Sequence, residues 1–589
     1  MNVIEQIKMS VAVAFADLYN VEIVAKDILI NNTKPEFEGD YTVVLFSFVK
    51  QLQKKPEILG NELGNYLITK HHNLFEKFNV IKGFLNITIS DKVWLHFLQQ
   101  ESSNKHFGIN TSSSHKVMVE YSSPNTNKPL HLGHLRNNFL GWSIAEILKA
   151  NGHDVIKSCI VNDRGIHICK SMIAWKMFAN NATPESTQTK GDHFVGNYYV
   201  QFNNEYKKQV DALIAKGITK EQAEKDVPIM KATQQMLLDW EAGNPDVIAL
   251  WKTMNSWVYA GFDETYKKIG SNFDKIYYES NTYLLGKNLV EKGLEKNVFY
   301  KKDDGSVWID LTEDGLDEKI VQRKDGTSVY ITQDIGLAEQ RYNEYKANES
   351  IYVIGDEQNY HMKVLKLICQ KLQLPSADGI YHLSYGMVEL PTGKMKSREG
   401  TVVDADDLVA EMIQISKQKT EELGKVNDFT NAELEELYQM IGLGALKFFL
   451  LRVDPKKKII FNPEESIDFH GFTAPFIQYT HARIKSIIRK NDIAALAEIS
   501  LLTLEKEVIK QLEQFPAALV EAAQEHDPSK MAIYIFNTAQ LFNSFYAQHS
   551  ITQAENEQKK QLRLHIAQLT AQVIKTGMSV LGIGVPERM

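Results

Sequence analysis

The sequence is poor in cysteine, with only Cys159, Cys169 and Cys369 among 589 residues. Thiols so few and so widely spaced exclude a disulfide framework and a zinc cluster built from cysteines. Cys159 and Cys169 lie in apolar surroundings, so we expect them to be core residues. A protein of a reducing compartment fits this cysteine usage.

Long apolar runs and an excess of positive charge are also missing. No stretch of about 18 apolar residues occurs, and the first residues do not form a basic region leading into an apolar segment. These absences predict a cytoplasmic protein with no membrane association. The net charge of −8 does not indicate nucleic-acid binding, although a large enzyme can still bind RNA through a local basic surface.

What is present is typical of a globular protein, with 43% hydrophobic and 24% charged residues. The length corresponds to about four domain-sized units. Residues 1–112 read as a small α/β module. Residues 113–405 read as a doubly wound parallel sheet, interrupted by a helical, charge-rich insertion at about 168–290. Strand signals vanish from 406 to 589, which predicts a helical bundle.

Within the middle part, the apolar pattern predicts alternating strands and helices. The predicted strands are 117–121, 155–161, 329–332, 351–355 and 382–388. The predicted helices include 131–150, 361–372 and one that begins at Asp334.

The most informative segment follows the first of these strands and reads SSPNTNKPLHLGH, from Ser122 to His134. His131 and His134 are three residues apart, so one helical turn places both imidazoles on the same side. Gly133 between them lets a ligand approach the backbone, and a helix N-terminus attracts phosphate. A bare pair of solvated histidines is the alternative, but the preceding Pro-Asn and Lys-Pro pairs favour a nucleotide site at the sheet edge.

This segment, with Glu120, Lys128 and Arg136, resembles the first signature of class I aminoacyl-tRNA synthetases in its arginyl form. Further segments that resemble the arginyl-tRNA synthetase family are 191–196, 326–335, 353–361, 478–483 and 585–589. They keep the family's order over most of the chain. The resemblance implies a Rossmann-like catalytic domain, an N-terminal module for the tRNA elbow and a C-terminal helical domain for the anticodon.

The resemblance also implies the reaction and its partners. Arginine would be activated with ATP and Mg²⁺ and then transferred to the 2′-hydroxyl of the terminal adenosine of tRNA(Arg), by a monomeric ligase. Such chemistry needs positioning and charge neutralisation rather than a protein nucleophile or a protein-held metal. Imidazoles of His131 and His134 would donate to phosphate oxygens, and we expect the loss of one donor to cost about 3 kcal/mol in the barrier.

The second class I signature is a lysine loop, and here the sequence departs from the family pattern. Residues 393–400 read GKMKSREG, which offers Lys394, Lys396 and Arg398 as catalytic cations. We hypothesise that Lys128 shares the contact to pyrophosphate with Lys394 and Lys396. The alternative is a solvated basic hairpin.

Recognition of a guanidinium needs carboxylates and planar acceptors. The resemblance places five residues around arginine: Asn125, Glu279, Tyr330, Asp334 and Gln358. Taken alone, Asp334 is an N-cap, Glu279 a surface carboxylate, Gln358 a loop residue and Tyr330 a core residue. The expected ATP contacts are Ser123, Pro124, His131, His134, Gly355, Asp356, His361, Met387 and Val388.

Aromatic residues interleaved with polar ones in the C-terminal part predict base stacking and edge recognition. The expected tRNA contacts are Gln478, Tyr479, His481, Arg483, Asn543, Tyr546 and Met589, although a helix core explains several of this segment's apolar residues equally well. Two other functions remain open. A cysteinyl synthetase would need a zinc site that three scattered cysteines do not supply, and a non-catalytic RNA-binding paralogue would not need His131, Gly133 and His134.

Overall fold

The computed structural model describes residues 2–111, 115–389, 391, 403–422, 424 and 428–589. Its N-terminal part packs helices on an antiparallel sheet with strand order β1-β2-β4-β3. The elements are α1 (Val3–Tyr19), β1 (Ile30–Asn32), β2 (Tyr41–Val44), α2 (Phe46–Leu52), α3 (Pro56–Lys70), β3 (Phe75–Ile81), β4 (Phe84–Ile89) and α4 (Asp91–Glu101).

The middle part contains a five-stranded parallel sheet with order β12-β11-β5-β6-β7. Its strands are β5 (Lys116–Glu120), β6 (Asp154–Val161), β7 (Lys275–Tyr278), β11 (Glu349–Gly355) and β12 (Ile380–Tyr385). A second, antiparallel sheet has the order β10-β9-β8 and comprises β8 (Tyr300–Lys301), β9 (Val307–Ile309) and β10 (Lys319–Gln322).

The helices of this part are α5 (Leu132–Ala150), α6 (Ile166–Phe178), α7 (Pro184–Thr187), α8 (Gly191–Ala215), α9 (Lys220–Asp226), α10 (Pro228–Glu241), α11 (Pro245–Ile269), α12 (Glu279–Thr282), α13 (Lys287–Glu295), α14 (Tyr330–Tyr345) and α15 (Asn359–Lys371). The chain order of the strands reverses at β5, which has β6 on one side and β11 on the other. Ligands of doubly wound sheets bind at such a reversal, beyond the carboxyl ends of the strands.

The C-terminal part is helical, as the sequence predicts. It comprises α16 (Ala405–Glu422), α17 (Asn431–Leu451), α18 (Pro463–Ser466), α19 (Ala474–Ile488), α20 (Thr503–Glu513), α21 (Phe515–Gln524), α22 (Pro528–Gln548) and α23 (Glu557–Val580). Its short strand β14 (Ile459–Ile460) pairs with β13 (Val388–Glu389) of the middle part. Within the described ranges, no helix combines the length and apolar character needed to span a membrane.

Two predicted elements are wrong. The sequence predicts a strand at 329–332, but α14 begins at Tyr330, so Asp334 lies inside the helix rather than opening it. Thr332 donates its hydroxyl to the Val321 carbonyl and Ile331 is buried, so tertiary contacts override the β-propensity of this run. The predicted helical insertion at 168–290 also includes β7, an edge strand of the parallel sheet.

Candidate active site

A cavity of about 500 Å³ opens at the carboxyl ends of β5 and β11. The loop after β5, the first turn of α5 and the ends of β11 and β12 form its walls, because carboxyl ends of parallel strands meet at one edge. Residues of the expected site that line it are Ser123, Asn125, His131, Gly133, His134, Asp334, Gly355, Gln358, His361, Met387 and Val388. Pro124 and Asp356, though described, do not line it.

The two imidazoles of this cavity are in contact, with ring centroids 3.9 Å apart and ring planes tilted by 40°. His131 Nδ1 accepts the backbone N–H of Gly133 at 3.2 Å, and His134 Nδ1 accepts that of His131 at 3.1 Å. Burial and the charge of Lys128 lower the pKa of His131 to about 3, and burial also lowers the pKa of His134. Both rings are therefore neutral at pH 7, with the proton on Nε2 because Nδ1 is the acceptor. Each ring thus offers one Nε2–H donor.

Gly133 has a steric reason to lie between the histidines. A Cβ there would be 3.1 Å from the His131 ring. A larger residue would push this ring away from its bond to the Gly133 amide.

Polar side chains of α5 fix the surrounding loops. Arg136 is fully buried and donates to the carbonyls of Gly386 at 2.6 Å and Lys457 at 2.8 Å, which positions the strand β13 beside the cavity. Asn137 accepts the Ser122 amide and donates to the Val353 carbonyl at 2.7 Å. The ends of β5 and β11 are thereby tied to the helix that carries His134.

The five residues expected around arginine are divided between two neighbouring cavities. Asn125, Asp334 and Gln358 line the first, whereas Glu279 and Tyr330 line a second cavity of about 550 Å³. Tyr330 is 74% exposed, so it is not the core residue that its sequence context alone indicates.

Glu279 and Asp334 have different electrostatic settings. Burial and the nearby carboxylates of Asp163 and Asp334 raise the pKa of Glu279 to about 7, against the opposing charge of Arg164. Asp334 is bonded to His361 Nε2 at 2.6 Å, and this bond raises the pKa of His361. The charge of Asp334, which lines the first cavity, therefore reaches Glu279, which lines the second.

Asp163 positions Glu279, and sequence reasoning missed it. Asp163 is 1% exposed, and its carboxylate accepts the Ser280 amide at 2.8 Å and the Ser280 hydroxyl at 2.7 Å. It also accepts the Tyr259 hydroxyl at 3.0 Å. No sequence signal marked a lone Asp after β6, since its partners lie about a hundred residues away.

A buried ion pair at the floor of the first cavity was also missed. The Glu120 carboxylate contacts the Arg341 guanidinium, and both side chains are less than one-tenth exposed. The guanidinium lies 4.9 Å from the ring centroid of Tyr277 and 5.5 Å from that of Tyr352. This arrangement fixes the end of β5 against α14 and β11.

The expected catalytic cations can be placed only in part. Lys128 lines a third cavity of about 240 Å³ together with His131 and His193. Its charge lowers the pKa of both His131 and His134, so it lies near the imidazole pair. Lys394, Lys396 and Arg398 lie outside the described residues.

One group of side chains beside this third cavity has metal-ligand character. Ligand atoms of Asp192, His193 and Asp406 lie within 4.8 Å of one another. The Lys190 ammonium lies 2.6 Å from Asp406 and 3.1 Å from Asp192. The positive charge that these carboxylates need is thus supplied by the protein itself.

A separate cavity of about 400 Å³ lies in the C-terminal part. Tyr479, Arg483, Tyr546 and Met589, all expected to contact tRNA, line it. The Arg483 guanidinium lies 4.8 Å from the Tyr479 ring centroid and donates to Asn543 at 3.0 Å. Aromatic faces beside a cation are suited to stacking unpaired bases. We refer to it below as the Tyr479 cavity.

Gln478 and His481 do not face this cavity. Both are buried, at 0% and 1% exposure, and they donate to the carbonyls of Gly584 and Pro586, each at 2.8 Å. They therefore hold the C-terminal tail in place instead of offering a surface to RNA.

Comparisons with known proteins agree over the whole chain. Residues 97–462 match the family model for the catalytic domain of class I (R) tRNA synthetases, 477–589 the DALR anticodon binding domain and 5–89 the arginyl tRNA synthetase N terminal domain. An arginine–tRNA ligase of Bacteroides thetaiotaomicron is 51% identical over 598 residues, and one of Flavobacterium psychrophilum is 52% identical over 604, each covering 100% of both chains.

Solved structures support the fold. Arginyl-tRNA synthetase of Thermus thermophilus has a TM-score of 0.79 at 24% identity and covers 99% of both chains. The enzyme of Plasmodium falciparum has a TM-score of 0.78 at 17% identity, with 100% and 99% coverage. The predicted fold class is confirmed. The domain boundaries at 112 and 405 stay predictions.

Proposed function

The chain belongs to the arginyl-tRNA synthetase family of class I aminoacyl-tRNA synthetases, and we propose that its two adjoining cavities carry out the two steps of that reaction. L-Arginine attacks the α-phosphate of ATP through its carboxylate, which gives arginyl-adenylate and pyrophosphate. The 2′-hydroxyl of the terminal adenosine of tRNA(Arg) then attacks the arginyl carbonyl, which releases AMP and leaves the ester.

The imidazole pair supports the assignment of the first step to the 500 Å³ cavity. Attack on the α-phosphate builds negative charge on its oxygens. The neutral Nε2–H groups of His131 and His134 can donate to these oxygens, because both rings form their backbone hydrogen bonds at Nδ1. Because the rings are fixed by bonds at Nδ1, the donors need no reorganisation when the charge develops. Mg²⁺ enters with ATP as part of the substrate and screens the remaining phosphate charge.

Of the four expected catalytic cations, Lys128 is the one within the described residues, and we propose that it shares in pyrophosphate binding. It lies close enough to His131 for its charge to lower the imidazole pKa. In our proposal Lys394, Lys396 and Arg398, which follow β13 in the sequence, share this role.

The carboxylates of Asp334 and Glu279 support arginine as the amino acid. Two acids on the wall between the cavities form a receptor for a planar cation with five N–H donors, which a single ammonium fills less completely. Gln358 and Asn125 add planar acceptors at the rim of the first cavity. Citrulline, which is uncharged, would leave the acids without a counter-charge.

The second cavity suits the 3′ end of the tRNA. Glu279, one of the two carboxylates proposed to bind the substrate arginine, lines it. The exposed ring of Tyr330 and the cations Arg164, Lys287 and Arg323 line it as well. A ring for stacking and cations for phosphate are what a single-stranded end needs. The Tyr479 cavity would receive unpaired bases of the anticodon, and the N-terminal part the tRNA elbow.

The observation that carries the proposal is the pair of neutral imidazoles, in contact with each other and facing a cavity that Asp334 also lines. ATP–pyrophosphate exchange with each of twenty amino acids, with cognate tRNA and Mg²⁺ present, tests it. We expect exchange with arginine alone, and exchange slower by a factor of about 100 or more in the His134→Ala variant. Exchange with cysteine or another amino acid would overturn arginine as the proposed substrate. RNA binding without any exchange would favour a non-catalytic paralogue. A monomeric state and a cytoplasmic location stay predictions.

A further inference from the structure

The second cavity contains a guanidinium of the protein itself beside an acid that is proposed to bind a substrate guanidinium. Arg164 and Glu279 both line this cavity. Burial raises the pKa of Glu279 to about 7, and the charge of Arg164 is the largest charge effect on this acid and lowers its pKa. The two groups are therefore near each other and carry opposite charges. If they paired, Arg164 would occupy the acid that the substrate needs.

The two side chains nevertheless do not pair. Among the described residues, the Arg164 guanidinium has one ion pair, to Glu241 at 2.9 Å, and the Glu279 carboxylate has none. The Nε–H of Arg164 is buried, and no acceptor among the described residues receives it. A buried donor without an acceptor is costly, so Glu279 is an attractive alternative partner for this guanidinium.

Three side chains fix the present position of the Arg164 guanidinium. Glu241, the last residue of α10, accepts from it at 2.9 Å. The guanidinium carbon also lies 4.0 Å from the ring centroid of Tyr283 and 5.1 Å from that of Trp240. Aromatic faces hold a guanidinium well, and a carboxylate fixes its orientation. Of the three side chains, Glu241 alone carries a charge that competes with Glu279 for Arg164.

The backbone beside both groups is fixed as well. Trp251 and Asn255 of α11 donate to the Asp163 carbonyl at 2.6 Å and 3.0 Å, directly before Arg164 in the chain. The carboxylate of the same Asp163 accepts the amide that directly follows Glu279. A change of partner by Arg164 therefore requires rotation of its side chain rather than a movement of the backbone.

We propose that Glu241 is a positioning residue for amino acid recognition, because it retains the Arg164 guanidinium and so keeps the Glu279 carboxylate open to the substrate arginine. Without Glu241, Arg164 turns to Glu279 and becomes an internal competitor with the same guanidinium group as the substrate. With Glu241, the cavity keeps a cation for the 3′ end of the tRNA and does not neutralise an acid of the arginine pocket. The inference rests on the proposed function, because it needs Glu279 to bind the substrate.

The test measures the binding of L-arginine to the full chain by titration calorimetry from pH 6 to 8, without tRNA. Glu241→Gln removes the charge that retains Arg164 and keeps the size of the side chain. We expect the dissociation constant for arginine at pH 8 to rise roughly tenfold, because the substrate must first displace a charge-assisted hydrogen bond between Arg164 and Glu279.

The pH profile separates this role from a merely structural one. In Glu241→Gln, Arg164 moves closer to Glu279 and favours its ionised form, so the midpoint of arginine binding should fall below that of the wild type. In Arg164→Met the opposing cation is absent, so the midpoint should rise above that of the wild type. Asp163 and Asp334, which raise the pKa of Glu279, are unchanged in both variants. A structural disturbance gives no reason for shifts in opposite directions.

The double variant Glu241→Gln with Arg164→Met tests the competitor directly. Removal of the competing guanidinium should restore most of the affinity that Glu241→Gln loses at pH 8. The matched control is Glu221→Gln, which removes a carboxylate that pairs with Lys225 at 2.8 Å on α9 of the same helical insertion. This control should bind arginine as the wild type does.

Thermal unfolding identifies any variant that does not fold. If Glu241→Gln is one, Tyr283→Leu, which removes a ring beside Arg164, decides the test with the same expected loss and the same direction of shift. Wild-type affinity in Glu241→Gln, no recovery in the double variant, midpoints that do not move in opposite directions, or an equal loss in Glu221→Gln would overturn the role of Glu241. If the wild type does not bind arginine at all, the proposed function fails; if it binds arginine and one of these results is found, only the role of Glu241 fails.

Discussion

Lowering the pH from 8 to 6 will weaken arginine binding by about tenfold, because the charged form of Glu279 is lost in this range. The pKa of Glu279 is raised to about 7, first by burial and then by the carboxylates of Asp163 and Asp334. The ionised form attracts the guanidinium and the protonated form does not. Binding is therefore strongest above pH 7 and is lost as the pH falls through it.

The magnitude follows from the fraction of enzyme in the ionised form. With a pKa of about 7, the apparent dissociation constant exceeds its limiting value by a factor of about 1.1 at pH 8, about 2 at pH 7 and about 11 at pH 6. The change from pH 8 to pH 6 is thus about tenfold, or about 1.4 kcal/mol. His361 adds to it in the same direction, since its protonated form pairs more strongly with Asp334.

The assay is the KM for arginine in tRNA charging, measured from pH 6 to 8 at saturating ATP and tRNA. Glu279→Gln removes the titrating acid while keeping its shape, so this variant should bind arginine more weakly at pH 8 and lose most of the pH dependence. Asp17→Asn, an exposed acid of α1 far from the site, is the control and should follow the wild type. A wild-type KM that stays flat, or a Glu279→Gln variant with the wild-type slope, would refute the reasoning.

Four further substitutions test single roles. Asp334→Asn should raise the KM for arginine at least tenfold, about 1.4 kcal/mol; an unchanged KM would remove Asp334 from the arginine pocket. His134→Ala should lower kcat by a factor of about 100 or more, because a transition-state donor is worth about 3 kcal/mol; a fall in affinity alone would contradict this. Lys128→Ala should slow pyrophosphate exchange, and an intact rate would exclude its share in pyrophosphate binding. Tyr479→Ala should raise the KM for tRNA about tenfold through lost stacking and leave the KM for arginine unchanged.

The central βαβ unit could be predicted because its signals are local. The buried run of β5, the pair of histidines and the helical pattern to Ala150 specify strand, turn and helix within about 35 residues, and the structure places α5 at Leu132–Ala150. The beginning of α14 could not be predicted in the same way. Val329 to Thr332 has strand propensity, and contacts to distant Val321 decide for a helix.

The residues that support the site could not be predicted from the sequence, for a related reason. Asp163 and Arg341 have no motif of their own, and their roles exist only once β6 meets α12 and β5 meets α14. The residues expected to bind arginine are divided between two cavities, and this division likewise arises only when the edge of the sheet is assembled. A resemblance predicts which residues contact a substrate, but it does not show which cavity each one lines.

The residues of α19 show where helical geometry could have corrected the prediction. Four of them, Gln478, Tyr479, His481 and Arg483, were expected to contact tRNA together. At 100° per residue, Tyr479 and Arg483 are only about 40° apart, whereas Gln478 and His481 are about 60° apart on another face. The helix therefore presents one pair to the Tyr479 cavity and the other to the tail, as the structure has it.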